Sequence, residues 1–283
     1  MGKQKALERK ITEIPFGTIA HWERRVSSSK DHVLFIHDLG SFGSSWIPEN
    51  ISHLDLNAYA PDLVYHGQSI ATLEDGSIYD YALSLAHWAH QHRSEFSCIV
   101  AHGFGASIAI EALSQDFLQT ERLFLVNPYG LQDLESYERE MIRKAGHISK
   151  WGSDNLEQHF QTLRFTTKSK GFNLEAYQIA IQKHENLAAP RFTTQMLSQA
   201  YQSLVDNRTY LKFMKLPQIK KVVFGGKNPF IPHPLTEMSL EHLVKSLDER
   251  AKLKSEVFMN SGHFPQLEFP EKFNQLLTKT LAT

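Results

Sequence analysis

The stretch that leaves this chain the least freedom is Cys98-Ile-Val-Ala-His-Gly-Phe-Gly-Ala-Ser107, followed by Ile108-Ala-Ile-Glu-Ala-Leu113. The apolar run from Cys98 is short and ends at a pair of glycines, Gly103 and Gly105. Small residues at Ala101, Gly103 and Gly105 surround the bend, and a helix-forming stretch follows. It reads as a strand, a sharp turn and a helix packed back on the strand. His32-Val-Leu-Phe-Ile-His37 and Arg122-Leu-Phe-Leu-Val126 are similar continuous apolar runs. Such runs suit strands buried on both faces of a parallel sheet. Strands alternating with helices imply right-handed crossovers in one mostly parallel α/β sheet.

Other elements fit this frame. Residues 11–25 alternate apolar and polar about Pro15-Phe-Gly17, the pattern of a hairpin. Leu56-Asn-Ala-Tyr-Ala60 is a predicted strand closing at Pro61-Asp62, and Asp62 to Ser69 is a loop. Ser41 to Leu54 is expected to hold a short helix. Tyr81, Leu85 and Trp88 share one face of a helix over 77–92. Helix-like segments follow near 131–146, 154–164, 173–184 and 193–213, with no convincing strand between them. A block of this size is too long for a loop and reads as a helical insertion. The expected division is therefore a core of residues 1–128 and 217–283 and a helical lid of residues 129–216. Lys220–Phe224 and Ser255–Met259 are predicted strands, and 234–249 and Pro270–Leu281 predicted helices.

Composition narrows the function classes. The chain has 283 residues and a formal net charge of -1, which gives no footprint for nucleic acid or an anionic membrane surface. Its one cysteine, Cys98, excludes an intrachain disulfide and reads as a buried filler. The polar start Met1-Gly-Lys-Gln-Lys-Ala6 does not resemble a signal peptide. No apolar stretch approaches the ~20 residues of a membrane span. The expectation is a soluble, cytoplasmic protein. His87, His90 and His92 lack a carboxylate or cysteine to complete a metal set and read as a solvated helix face. Neither metal nor cofactor is expected.

Four landmarks now stand in order, each after a predicted strand. His37-Asp-Leu-Gly40 resembles an H-G-x-G oxyanion loop. Ala101-His-Gly-Phe-Gly105 resembles the nucleophile elbow G-x-S-x-G. Gly225-Gly-Lys-Asn-Pro-Phe-Ile-Pro232 resembles a loop carrying a catalytic acid, and Ser261-Gly-His-Phe-Pro265 one carrying a catalytic histidine. Together they resemble the α/β-hydrolase superfamily over nearly the whole chain. The resemblance implies an α/β-hydrolase fold with an inserted helical lid. Asp62, His66, Gly67 and Ser69 look like the family loop that orders turns beside the site.

The departures lie at the chemistry. Gly103 holds the nucleophile position and Asn228 the acid position, so only His263 remains of the implied triad. Glycine offers no attacking atom, and a neutral amide orients an imidazole without stabilising the imidazolium. By the resemblance, backbone N–H groups of Leu39 and Phe104 form the oxyanion hole. Asp38 stands where the family has glycine, and its direction is not legible from sequence. His37, Asp38 and His102 are placed in the pocket, with His102 read as structural. Ser107, Ser44 and Ser45 are poor replacement nucleophiles. Asn127, at another possible acid position, is again an amide, and Asp133 is a distant candidate.

Glycine takes the positive φ of an elbow tip almost freely, so the scaffold outlasts loss of the nucleophile. In this the chain is similar to the non-catalytic N-myc downstream-regulated group. Two readings follow. One is a non-hydrolytic protein that binds a small, partly apolar ligand or a protein partner between core and lid. The other is a divergent hydrolase, lyase or transferase-like enzyme with His263 as general base and a backbone oxyanion hole. The first falls if a serine, cysteine or aspartate oxygen or sulfur stands in contact with the His263 imidazole.

Overall fold

The structure is a computed structural model. It describes residues 7–46, 54–73, 75–93, 95–131, 164, 167–168, 172–182, 199, 202–203, 209–228 and 254–283. Most of the segment expected to be the lid, the expected helix at 234–249, and Asp133 lie outside them.

The strands are β1 (Glu8–Ile14), β2 (Gly17–Arg24), β3 (His32–Ile36), β4 (Asn57–Pro61), β5 (Ile70–Ala71), β6 (Glu95–His102), β7 (Gln119–Val126), β8 (Ile219–Gly225) and β9 (Lys254–Phe258). They form one sheet in the order β1-β2-β4-β3-β6-β7-β8-β9, with β5 paired to β2. The β1–β2 hairpin closes with Ile14 opposite Gly17, and β2 is antiparallel to β4. From β4 through β9 every pairing is parallel. The order doubles back at β3, where the sequence runs on to β4 on one side and β6 on the other.

The apolar runs become strands because both sheet faces are covered. On one face Leu34, Ile36, Ile99, Ala101, Leu123 and Leu125 pack under α1 (Ile78–His92) and α2 (Phe104–Ser114). On the other, Val33, Phe35, Val100, Phe124 and Val126 meet Trp46 and the C-terminal helix Pro270–Leu281 through Phe273 and Leu277. Helix α1 starts where the sequence places a cap: the Ser77 hydroxyl accepts the Asp80 N–H at 3.2 Å. Cys98 is fully buried and its thiol is pushed up to about 12 by burial, an inert filler.

The expected helix after His37 is a single 3-10 turn, Gly43–Trp46, within the described part. The segments near 173–184 and 193–213 yield α3 (Leu174–Gln182) and α4 (Thr209–Lys215). Strand β5 and the short helix α5 (Pro265–Glu268) have no counterpart in the sequence reading; α6 is Pro270–Leu281, as expected. Among the described residues no helix is long and apolar enough to cross a membrane.

Two buried histidines give the fold an acid limit. His21 is fully buried, has no hydrogen-bond partner on either ring nitrogen among the described residues, and packs 4.4 Å from His92. His66 is also fully buried. Burial first, with repulsion from His92 and His37 respectively, lowers each to about 3. An unfolded chain protonates histidine near pH 6.5. Between pH 6.5 and 3 the unfolded state therefore binds protons that the folded state refuses, and stability falls with acid. The pair is expected to remove about 3 kcal/mol per pH unit well inside that window. Guanidinium unfolding at pH 7, 6 and 5 measures it; equal stabilities would refute it.

Candidate functional site

The site forms where β3, β6 and β8 end, together with the loop after β9. At the end of β6 the chain turns through Gly103, φ +52°, straight into α2. That is the elbow, with glycine at its tip. An added Cβ there would lie 2.1 Å from Asp38 Oδ1 and 2.3 Å from its Cγ. The space a nucleophile's side chain would take is filled by a carboxylate from the neighbouring strand end.

Asp38 points inward, and both its oxygens are engaged. Oδ1 accepts the Phe104 backbone N–H at 2.7 Å, and Oδ2 lies 2.7 Å from His263 Nε2. Burial alone would raise this carboxyl; the hydrogen bond and charge of His263, with the Phe104 N–H, bring it instead down to about 2. Two expectations are thereby corrected. The Phe104 N–H is not an open oxyanion donor, because Asp38 occupies it. And a side-chain oxygen does stand against His263, since deleting the side chain at Gly103 left room for one at Asp38.

His263 is fully buried and held from several sides. Asn228 Oδ1 lies 3.2 Å from Nδ1, so the acid position still orients the ring. Its two ring nitrogens thus meet side-chain oxygens, Asn228 Oδ1 at Nδ1 and Asp38 Oδ2 at Nε2. Tyr129 stacks at 5.8 Å, with its hydroxyl 3.4 Å from Nε2. The backbone oxygen of His263 accepts from His102 Nε2 and Asn127 Nδ2, each at 2.8 Å. His102 thus braces the loop. Gly225 allows β8 to approach it: a Cβ there would lie 1.7 Å from the Gly262 oxygen.

Asn127 works as a clip. It sits at φ +42° after β7, takes the Gly225 N–H on Oδ1 at 2.8 Å, and donates Nδ2 to His263. An aspartate could accept but not donate. Asn127→Asp is expected to cost about 1–3 kcal/mol, because the His263 carbonyl loses one of its two donors and faces a buried carboxylate instead. Denaturant unfolding reads the loss, and unchanged stability would refute the clip.

The other candidates have structural places. His37 accepts the Leu63 N–H on Nε2 at 2.8 Å and bonds the Asp38 carbonyl through Nδ1 at 2.7 Å. It fixes the backbone that carries Asp38 rather than facing the seat. Burial lowers it to about 4. His66 accepts the Gly40 N–H and bonds the Val64 oxygen. Asp62 accepts from Gly43 N, Gln68 N and Arg9. These bonds tie the 62–69 loop to the one bearing Asp38. Leu39 packs its side chain on the core. Ser107 bonds the Tyr129 carbonyl, and Ser45 the Phe42 carbonyl.

Glu268 was not singled out by the sequence. Its Oε1 accepts Gly262 N at 2.8 Å and Ser261 Oγ at 3.1 Å, and its Oε2 accepts the backbone N–H of Lys168 at 2.7 Å. One carboxylate joins the histidine loop to the segment between β7 and β8. No motif marks such a residue, because two of its three partners are backbone N–H groups.

A sequence model described as Alpha/beta hydrolase family matches residues 33–276. An uncharacterized protein of Mycobacterium tuberculosis (strain ATCC 25618 / H37Rv) is 30% identical over 124 residues, 42% of this chain and 36% of that protein. The match thus takes in only about a third of the relative's length. Among solved structures, E-2-(acetamidomethylene)succinate hydrolase superposes with TM-score 0.74 at 16% identity, covering 98% of this chain and 100% of that one. The epoxide hydrolase CorEH gives 0.71 at 15%, covering 98% and 99%. A putative lipase from Acinetobacter baumannii AYE gives 0.70 at 22%, covering 98% and 91%. At these identities the structures speak for the fold. With the family model spanning β3 to α6, the chain belongs to the alpha/beta hydrolase family.

Proposed function

We propose that this chain is a non-hydrolytic member of its family that binds a small, partly apolar ligand or a protein partner between the core and residues 129–216, the segment expected to be the lid. One observation carries the reading: the Asp38 carboxylate fills the place of the nucleophile and ties together Phe104 N–H and His263 Nε2, each at 2.7 Å. Acyl transfer of the serine type needs a hydroxyl there, a free imidazole and open backbone donors. An aspartate oxygen against His263 was the contact expected to sink this reading; the reading stands because that carboxylate rises from the loop after β3, not from the elbow tip, and it takes up both the Phe104 donor and the imidazole. The test is incubation with p-nitrophenyl esters and a fluorophosphonate probe. Neither turnover nor labelling is expected; labelling that vanishes in His263→Ala overturns the reading.

The Asp38–His263 contact also favours a second reading, an enzyme that moves protons through this pair. His263 would then be the general base, once a substrate displaces Asp38 from Nε2. A substrate screen in which His263→Ala abolishes an activity would support it. An activity that survives His263→Ala would rule it out for that reaction.

A further inference from the structure

We propose that Asp38, His102 and His263 form a site for one divalent transition-metal ion of the zinc type. Among the described residues this is the group of histidines and carboxylates close enough to share an ion. All three are buried, and one ligand atom from each lies within 4.8 Å of the others. Two imidazoles and a carboxylate are the donors that borderline ions such as Zn2+, Fe2+ and Co2+ prefer, whereas Ca2+ and Mg2+ take oxygen cages.

The outer bonds point the same way. A metal ligand keeps its orientation through a hydrogen bond on its other polar atom. Asp38 has one on Oδ1, from the Phe104 N–H at 2.7 Å. His263 has one at Nδ1, against Asn228 Oδ1 at 3.2 Å. His102 has one at Nε2, to the His263 carbonyl at 2.8 Å, which leaves the lone pair on Nδ1. That nitrogen meets only the Gln266 amide, at 3.3 Å. Among the described residues Gln266 Oε1 is a buried acceptor with no partner, and a water carried by an ion is a donor of the kind it lacks.

The three ligands come from the ends of β3 and β6 and from the loop after β9; Asp38 Oδ2 and His263 Nε2 stand 2.7 Å apart and must part by about half an ångström to ligate an ion at about 2.0–2.1 Å. The ion takes the place of the proton between Asp38 Oδ2 and His263 Nε2. That proton leaves to solvent, and no electron is transferred. The site stands whether or not the protein hydrolyses anything, and its test uses no substrate.

The full chain, stripped with a chelator, is titrated with Zn2+ by calorimetry and with Co2+ by visible absorption. One ion per chain is expected, with the melting temperature raised by about 5 °C at saturating metal. Asp38→Asn and His102→Gln are expected to abolish stoichiometric binding. Asn228→Ala, which leaves the three ligands in place, should weaken it about 10- to 100-fold. This variant decides the matter should the others not fold. No stoichiometric uptake overturns the proposal, as does uptake that is equal in wild type, Asp38→Asn and Asn228→Ala, which would place the ion on surface histidines.

Discussion

Placing a serine at the bend, Gly103→Ser, is expected to give no esterase and a less stable protein. The new Cβ would stand 2.1 Å from Asp38 Oδ1, at a φ of +52° that side chains rarely adopt. Backbone strain and overpacking together are expected to cost about 3 kcal/mol. Adding Asp38→Gly removes the clash, frees the Phe104 N–H and gives His263 Nε2 a hydroxyl to accept from. The double variant should therefore be more stable than either single one, a coupling that a double-mutant cycle reads directly. It should also be labelled by a fluorophosphonate. Adding Asn228→Asp should raise ester turnover further, by up to about 10^4-fold, the effect of a carboxylate over an amide on a triad histidine. If Gly103→Ser alone were stable and reactive, the carboxylate could not occupy that seat.

The second large effect is expected from Asp38→Ala. It leaves His263 Nε2 without its 2.7 Å partner and the Phe104 N–H without an acceptor, both in the interior. Leaving a buried polar group without its partner costs about 1–3 kcal/mol, and here two groups lose theirs. Formate offers two oxygens with the geometry of the lost carboxylate. It should restore part of the stability to Asp38→Ala in a concentration-dependent way and leave wild type unmoved, as followed by thermal unfolding in formate against chloride. A loss under 1 kcal/mol, or equal effects of the two salts, would refute the role assigned to Asp38.

The sheet was legible because β3, β6 and β7 each carry an unbroken apolar run that only a two-faced burial accommodates. Helix α6 was legible from Pro270 and the spacing of Phe273 and Leu277. The elbow was legible from Gly103 and Gly105. What the sequence withheld is direction. Asp38 follows a strand end where a side chain can turn toward solvent or inward, and only the emptied volume over Gly103 decides it. Asn127 read as another missing acid, whereas it serves through its ability to donate as well as accept. His37 read as a pocket residue, yet the Leu63 N–H and the Asp38 carbonyl claim both its nitrogens. Glu268 bonds two backbone N–H groups and a hydroxyl, so nothing in its neighbours' identities announces it.

That last residue has a mechanical consequence. Because Glu268 grips Gly262 with one oxygen and the Lys168 backbone with the other, the imidazole loop and the stretch at Lys168 share a single tether. A pull on one end is transmitted to the other. By reciprocity, a guest that stabilises the histidine loop stabilises the Lys168 contact by the same coupling free energy. Glu268→Gln, a tether slackened by one charge, would uncouple the two without touching the guest's own contacts.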